Sequence, residues 1–207
     1  MPELPEVETI ARELKKKIVG LKITDVWTDR EKPFRQSGGL KKFLKEVKNR
    51  KIVDVRRRAK FVIIDLEGPS PRRSPGKSIF IHQKISGHLL YGAWKFESGI
   101  WKAIKSGPLK DDPHNKYLRI VFFFNNDYQM ALSDLRRFGK VMLVGDEEIK
   151  NLKELKKLGP EPLEIKFNEF KNLFKKKKGR LKPVLMDPFF IAGIGNIYSD
   201  EILWDAG

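Results

Sequence analysis

The periodicity of the apolar residues switches between helical and strand spacing along this 207-residue chain, and the places where it switches limit the folds that the chain can adopt. Over residues 21–144, short β-branched and aromatic runs alternate with turn residues such as Asn125-Asn126-Asp127. Beyond them the apolar residues recur at helical spacing. We therefore predict an α+β protein, with a β-sandwich and flanking helices over residues 1–145 and an α-helical domain over residues 146–207.

The spacing of the apolar residues also predicts where individual strands and helices lie. Short apolar runs predict strands that include residues 23–27, 61–64, 78–81 and 118–122. Amphipathic patterns predict helices at residues 2–19, 39–47, 146–157, 168–178 and 197–204.

The charge balance favours a polyanionic partner. The chain has 43 Lys and Arg residues against 27 Asp and Glu residues, a formal net charge of +16. Nucleic acid fits such a balance, and an anionic membrane surface is the alternative. No apolar run approaches the ~20 residues of a membrane span, and the N-terminus is acidic where a signal peptide would be basic and then apolar. We therefore expect a soluble, cytoplasmic protein without a membrane anchor.

The cysteine and histidine content argues against a metal centre. The chain has no cysteine and three scattered histidines. Disulfides and thiolate zinc sites are therefore excluded within these residues, and the histidines cannot form a convincing structural metal cage. We predict no metal and no cofactor in this chain.

The opening Met1-Pro2-Glu3 offers a nucleophile. A small second residue usually permits removal of the initiator methionine, which would leave Pro2 as a terminal secondary amine. Because an α-amino group has a pKa of ~8, part of it is neutral at physiological pH and can attack an aldehyde-like carbon to form a Schiff base. Glu3 could exchange protons during ring opening. The alternative is purely structural, since Pro and Glu are both favoured in the first turn of a helix.

Three further segments carry groups suited to proton or phosphate chemistry. Lys60 precedes an apolar run, where it could stabilise charge or move a proton, or simply end a strand. Residues 134–139 interleave two arginines with Phe138, which suits phosphate binding and wedging into a base step, or a basic turn that closes a hairpin. Residues 193–196 precede a helix whose amides could seat a phosphate, although a simple helix–helix turn has the same composition.

Taken together, these motifs resemble the formamidopyrimidine-DNA glycosylases in order and spacing. The matching segments extend over nearly the whole chain and comprise Pro2-Glu3-Leu4-Pro5-Glu6-Val7-Glu8-Thr9, Arg57-Arg58-Ala59-Lys60, Ile81-His82 with Ser86-Gly87, residues 134–139, Gly159-Pro160-Glu161-Pro162-Leu163 and Ala192-Gly193-Ile194-Gly195-Asn196-Ile197-Tyr198. The opening segment is closer to this family than to the related endonuclease VIII.

The resemblance implies a bifunctional glycosylase and abasic-site lyase that acts on oxidised purines and abasic sites as a nucleoid-associated monomer. Damaged double-stranded DNA would lie in a cleft between the β-sandwich and a helix-two-turn-helix domain. By position, Pro2 would be the Schiff-base nucleophile, Glu3 the general acid and Lys60 the partner in proton transfer and elimination. Glu6 would help to order the site.

The resemblance also implies a set of DNA contacts. The positions that match contacts to the DNA backbone are His82, His114, Arg137, Lys177, Lys182 and Asn196. Arg136 and Phe138 would fill the space left by the extruded nucleotide. Ile85 would wedge beside them, in place of the methionine of the family's His-Leu-Gly-Met-Ser-Gly run.

Two other departures affect the expected activity. Asp187-Pro188 stands where the family has an acidic–amide pair. The family also continues beyond the equivalent of Gly207, through more helix, a lesion-recognition loop and a four-cysteine zinc finger. We therefore expect the nucleophile to be retained and damage recognition to be impaired in the present chain.

Two other functions remain open from the sequence. A noncatalytic DNA-binding protein would keep the basic surface without the Schiff-base chemistry. A basic RNA-associated protein would prefer RNA to damaged duplex DNA. Covalent trapping on abasic DNA separates the first from an enzyme, and competition by RNA identifies the second.

Overall fold

A computed structural model of the protein describes residues 2–68, 76–175, 177 and 179–207. The described strands are β1 (Ile23–Thr28), β2 (Ile52–Arg58), β3 (Phe61–Leu66), β4 (Lys77–His82), β5 (Gly87–Gly92), β6 (Trp94–Glu97), β7 (Ile100–Ala103), β8 (Leu118–Phe124), β9 (Gln129–Asp134) and β10 (Lys140–Gly145). The described α-helices are α1 (Leu4–Ile18), α2 (Leu40–Val47), α3 (Asp146–Ile149), α4 (Lys153–Lys156), α5 (Phe167–Lys175), α6 (Leu181–Met186) and α7 (Asn196–Asp205). Short 3-10 helices cover Lys32–Ser37 and Pro113–Tyr117.

Two antiparallel four-stranded sheets form a sandwich, as the strand spacing predicts. The first sheet has the order β1-β8-β9-β5 and the second the order β10-β4-β3-β2. Their facing sides bury side chains such as Phe122, Met130, Ile64 and Ile81. The chain is thus α+β, with the β-sandwich first and most of the α-helices after it, and the predicted fold class is confirmed.

Helix α1 closes one open side of the sandwich core. Its buried residues are spaced three and four apart, which forms one apolar stripe along the helix, and they are Leu4, Val7, Ala11, Leu14 and Ile18. The helix begins two residues after Pro2, so its start carries the predicted nucleophile to the edge of the sandwich.

The outer faces of both sheets are also covered. The β6–β7 hairpin buries Trp94 and Trp101 against the first sheet. Leu152 and Leu155 pack on the second sheet from the segment 146–157. The prediction of one helix over that segment was wrong: α3 and α4 are four residues each. The turn between them places apolar side chains on the sheet, which outweighs the helical pattern.

Helices α5, α6 and α7 share a separate small core with the segment between α6 and α7. Its buried residues are Leu185, Phe190, Ile191 and Ile194, with Phe170, Leu173 and Phe174 of α5 against them. Helix α6 was not predicted, because six residues are too few for periodicity to show. Pro183 is tolerated there as the third residue, since N–H groups in the first turn have no helical partner. Within the described residues, no helix combines the length and apolarity needed to cross a bilayer.

Candidate active site

Two distant parts of the chain meet around the buried carboxylate of Glu3, which is 2% exposed. One of its oxygens accepts hydrogen bonds from the backbone N–H groups of Gly195 at 2.9 Å and Tyr198 at 3.2 Å. The other accepts from the N–H of Ile197 at 2.9 Å. The N–H of Leu4 donates to the carbonyl of Gly193 at 3.1 Å. The first residues of the chain are therefore fixed to the N-terminus of α7.

Glu3 occupies part of the seat that the turn at residues 193–196 is predicted to offer a phosphate, and phosphate binding by the remaining amides stays a prediction. Glu3 takes the amide of Gly195 from that turn and the amides of Ile197 and Tyr198 from the first turn of α7, and its negative charge suits a helix N-terminus. The approach is so close that a Cβ on Gly195 would lie 2.3 Å from the carboxyl carbon of Glu3, so glycine is required sterically. The side chain of Asn196 remains exposed.

Glu6 holds the other side of Glu3. One Glu6 oxygen accepts from the backbone N–H of Glu3 at 2.9 Å, and the other is 3.4 Å from the hydroxyl of Tyr198, which donates to it. Burial, followed by the charge of Glu6, raises the pKa of Tyr198, so this phenol stays protonated as a donor. Pro2 precedes this group and is itself buried.

Lys60 lies at the tip of the tight hairpin between β2 and β3, where Arg58 pairs with Phe61. Ala59 supplies the left-handed conformation that the turn requires, with φ of 50°. Burial lowers the pKa of Lys60, while the charges of Glu3 and Glu6 raise it. The hairpin therefore brings its ammonium group within the electrostatic range of the chain's first residues.

Glu161 attaches this hairpin to the linker before α5, and sequence reasoning missed it. Its carboxylate accepts from Arg57, from Arg58 and from the backbone N–H of Ala59, the last at 2.7 Å. Arg57 also donates to Glu8 at 2.6 Å, and its side chain is only 4% exposed. Both arginines therefore bind carboxylates of the chain itself. The Gly-Pro-Glu-Pro pattern alone does not predict these contacts.

His82 lies beside the hairpin with its ring against Phe61, the ring centroids being 4.7 Å apart. Burial, reinforced by Lys84, Lys60 and Lys140, lowers the pKa of His82 to about 3. The imidazole is therefore neutral at physiological pH. Its Nδ1 accepts from the backbone N–H of Lys84 at 3.0 Å, so the proton resides on Nε2 and is available to an acceptor.

Two loops lie side by side at this end of the sandwich. The Ile85 loop (residues 83–86) connects β4 to β5, and the Phe138 loop (residues 135–139) connects β9 to β10. Each passes from one sheet to the other, so the hairpin-turn reading of residues 134–139 was wrong. Ile85 is 42% exposed and Phe138 is 50% exposed, with the guanidinium of Arg136 over the Phe138 ring at 5.2 Å.

The other predicted contact residues are spread over both parts of the chain. Each is near a carboxylate: Arg137 lies 3.3 Å from Asp29, Lys177 3.5 Å from Asp187, Lys182 2.7 Å from Asp200 and His114 2.8 Å from Asp112. These pairs are partly exposed, so they cost little to break when a phosphate competes. No group of three or more His, Cys, Asp or Glu side chains within the described ranges is arranged to hold a metal ion.

Comparison with protein families accounts for this arrangement. Residues 1–141 match the formamidopyrimidine-DNA glycosylase N-terminal domain, and residues 158–207 match the formamidopyrimidine-DNA glycosylase H2TH domain. The chain belongs to the formamidopyrimidine-DNA glycosylase family. The resemblance stated from the sequence motifs is confirmed.

Named relatives in this family extend further than the present chain. It is 38% identical over 205 residues to the formamidopyrimidine-DNA glycosylase of Pelotomaculum thermopropionicum, covering 98% of this chain and 66% of that protein. It is 33% identical to the enzyme of the same name from Desulforamulus reducens, covering 100% of this chain and 67% of that protein. The chain thus spans about two thirds of the length of these glycosylases.

Solved structures of the family show the same fold. One is a complex between the Lactococcus lactis Fpg and DNA containing an abasic site, with a TM-score of 0.75 and 28% identity. Another is the same protein with DNA containing N7-benzyl-Fapy-dG, also with a TM-score of 0.75 and 28% identity. Each match covers 98% of this chain and 66% of the glycosylase structure.

Proposed function

We propose that the chain is a base-excision repair glycosylase and abasic-site lyase that acts on oxidised purines and abasic sites in double-stranded DNA. The observation that carries the proposal is the meeting of Pro2-Glu3, Lys60 and the N-terminus of α7 at one place. These segments come from three separate regions of the chain. Their convergence supplies an amine, a carboxyl group and an ammonium group around one position.

The chemistry divides among these groups. The secondary amine of Pro2 attacks the sugar C1′, the bond to the damaged base breaks, and loss of the ring oxygen bond gives an iminium ion. Glu3 exchanges the proton needed to open the sugar ring. Lys60, whose pKa burial lowers, transfers protons during excision and the following elimination. Glu6 orders the group through Glu3 and Tyr198.

The proposed DNA contacts use side chains that are partly or fully exposed. Six side chains bind the DNA backbone, and they are Asn196, Arg137, Lys177, Lys182, His114 and the neutral imidazole of His82. Ile85, Arg136 and Phe138 fill the space that an extruded nucleotide leaves. Support comes from the exposed, adjacent positions of the Ile85 and Phe138 loops.

Borohydride trapping on duplex DNA with an abasic site tests the proposal. A covalent adduct is expected, and peptide mapping should place the added mass on Pro2 in protein that has lost Met1. Pro2→Gly should lose the adduct, while the matched control Pro5→Ala keeps it. Binding without an adduct in the unaltered chain would instead identify the noncatalytic DNA-binding alternative, and stronger binding to RNA would identify the RNA-associated one.

A further inference from the structure

We propose that Ser86 and Asp134 form a bridge that fixes the Ile85 loop and the Phe138 loop in one frame, so that the two loops enter the DNA stack as a unit. Both residues act through the loops and are positioning residues. The inference rests on the proposed function, since the loops matter in this way only if a nucleotide leaves the duplex.

The bridge consists of hydrogen bonds between the two loops. The hydroxyl of Ser86 donates to the carboxylate of Asp134 at 2.5 Å and accepts from the backbone N–H of Arg136 at 3.0 Å. The Asp134 carboxylate also accepts from the N–H groups of Arg136 at 3.2 Å and Gly139 at 2.7 Å. Asp134 therefore holds both ends of the Phe138 loop, and Ser86 connects that loop to its neighbour.

The topology explains why such a bridge is needed. Strand β4 pairs with β10, where His82 faces Lys140, and β5 pairs with β9, where Gly87 faces Asp134. The two loops therefore run side by side, in opposite directions, between the same two sheets. Within the described part of the chain, the Ser86 hydroxyl makes the only hydrogen bonds between them.

Burial and backbone geometry show that the Phe138 loop is held firmly. Asp134 is 1% exposed, so its carboxylate relies on these donors in place of water. Arg137 has φ of 58°, a strained value for a residue other than glycine that persists only where surrounding contacts fix it. Phe138 is nevertheless half exposed. A rigid loop with an exposed apolar tip suits insertion, because little conformational freedom is lost.

Ser86→Ala removes the bridge and leaves the carboxylate with its backbone donors. Trapping on a duplex abasic site should slow by about tenfold, the worth of one hydrogen bond to a charged group. Trapping on a single-stranded abasic oligonucleotide should be unchanged, since no stack must be filled. Ser86→Thr keeps the hydroxyl and should restore the duplex rate. Ser106→Ala is the matched control, because Ser106 is exposed and lies outside both loops.

A double-mutant cycle separates coupling from general destabilisation. In the unaltered chain, Ile85→Ala and Phe138→Ala should have non-additive effects on duplex trapping, because the bridge couples the loops. In the Ser86→Ala background the two effects should become additive, with all variants checked for an unchanged unfolding midpoint. Equal duplex rates for Ser86→Ala and the unaltered chain, additive effects in the unaltered chain, or an equal loss on single strands would overturn the inference. Failure of the unaltered chain to trap abasic DNA in either form, duplex or single-stranded, would overturn the proposed function instead.

Discussion

Lys60 is the titratable residue through which the fold most directly alters the proposed chemistry. Burial lowers its pKa below the ordinary value of 10.5, and the charges of Glu3 and Glu6 oppose that change. A lysine with a lowered pKa transfers its proton more readily near neutral pH. The balance between burial and the two carboxylates therefore sets the pH range in which Lys60 is protonated.

Glu6→Gln removes one charge that stabilises the protonated form of Lys60. We expect the alkaline limb of the abasic-site cleavage profile to move to lower pH, because the pKa of Lys60 falls further. In Lys60→Arg this limb should disappear, since a guanidinium does not titrate in that range. Steady-state cleavage across a pH series measures both variants. An alkaline limb that stays in place in Glu6→Gln would assign it to another group.

The β2–β3 hairpin is the element that places Lys60, and Glu161 fixes that hairpin to the linker before α5. The buried carboxylate of Glu161 accepts hydrogen bonds from Arg57, Arg58 and the N–H of Ala59. An element held by buried charged hydrogen bonds keeps its geometry only while every partner remains. The linker is thus part of the support of the site.

Glu161→Gln should lower the free energy of unfolding by about 2–3 kcal/mol, because it weakens hydrogen bonds to two arginines while Glu8 still pairs with Arg57. Urea unfolding at neutral pH measures this change. Glu164→Gln is the matched control, since that residue is exposed in the same turn and should unfold like the unaltered chain. Equal stability of the two variants would contradict a structural role for the Glu161 carboxylate.

The whole molecule carries a formal charge of +16, which favours DNA of any sequence. Arg137→Ala should lower the slope of log affinity against log salt by roughly 0.9, the contribution of one neutralised phosphate. Asn196→Ala should weaken binding without changing that slope, because its side chain is neutral. Lys95→Ala, on the β6–β7 hairpin, should leave both quantities unchanged. Fluorescence anisotropy over a salt series measures the affinity and the slope of each variant. An unchanged slope for Arg137→Ala would exclude a contact between Arg137 and a phosphate.

The sequence by itself determined the sandwich, its first helix and the family of this protein. Alternating strands, the apolar stripe of α1 and the Pro2-Glu3 opening are local patterns, and local spacing is what a sequence records directly. For the same reason, the segment 146–157 was wrongly predicted as one helix. Its apolar residues pack on the second sheet, and local spacing does not record a contact with a distant part of the chain.

Only the tertiary structure decided what the polar groups do. Glu3 meets Gly195, and Glu161 meets Arg57, across more than 100 residues of chain. Ser86 and Asp134 likewise meet through the pairing of two strands. Each of these carboxylates is buried, so its role is set by the donors that folding brings to it. Spacing along the chain cannot identify such donors, because partners distant in sequence become neighbours only when the sheets and helices assemble.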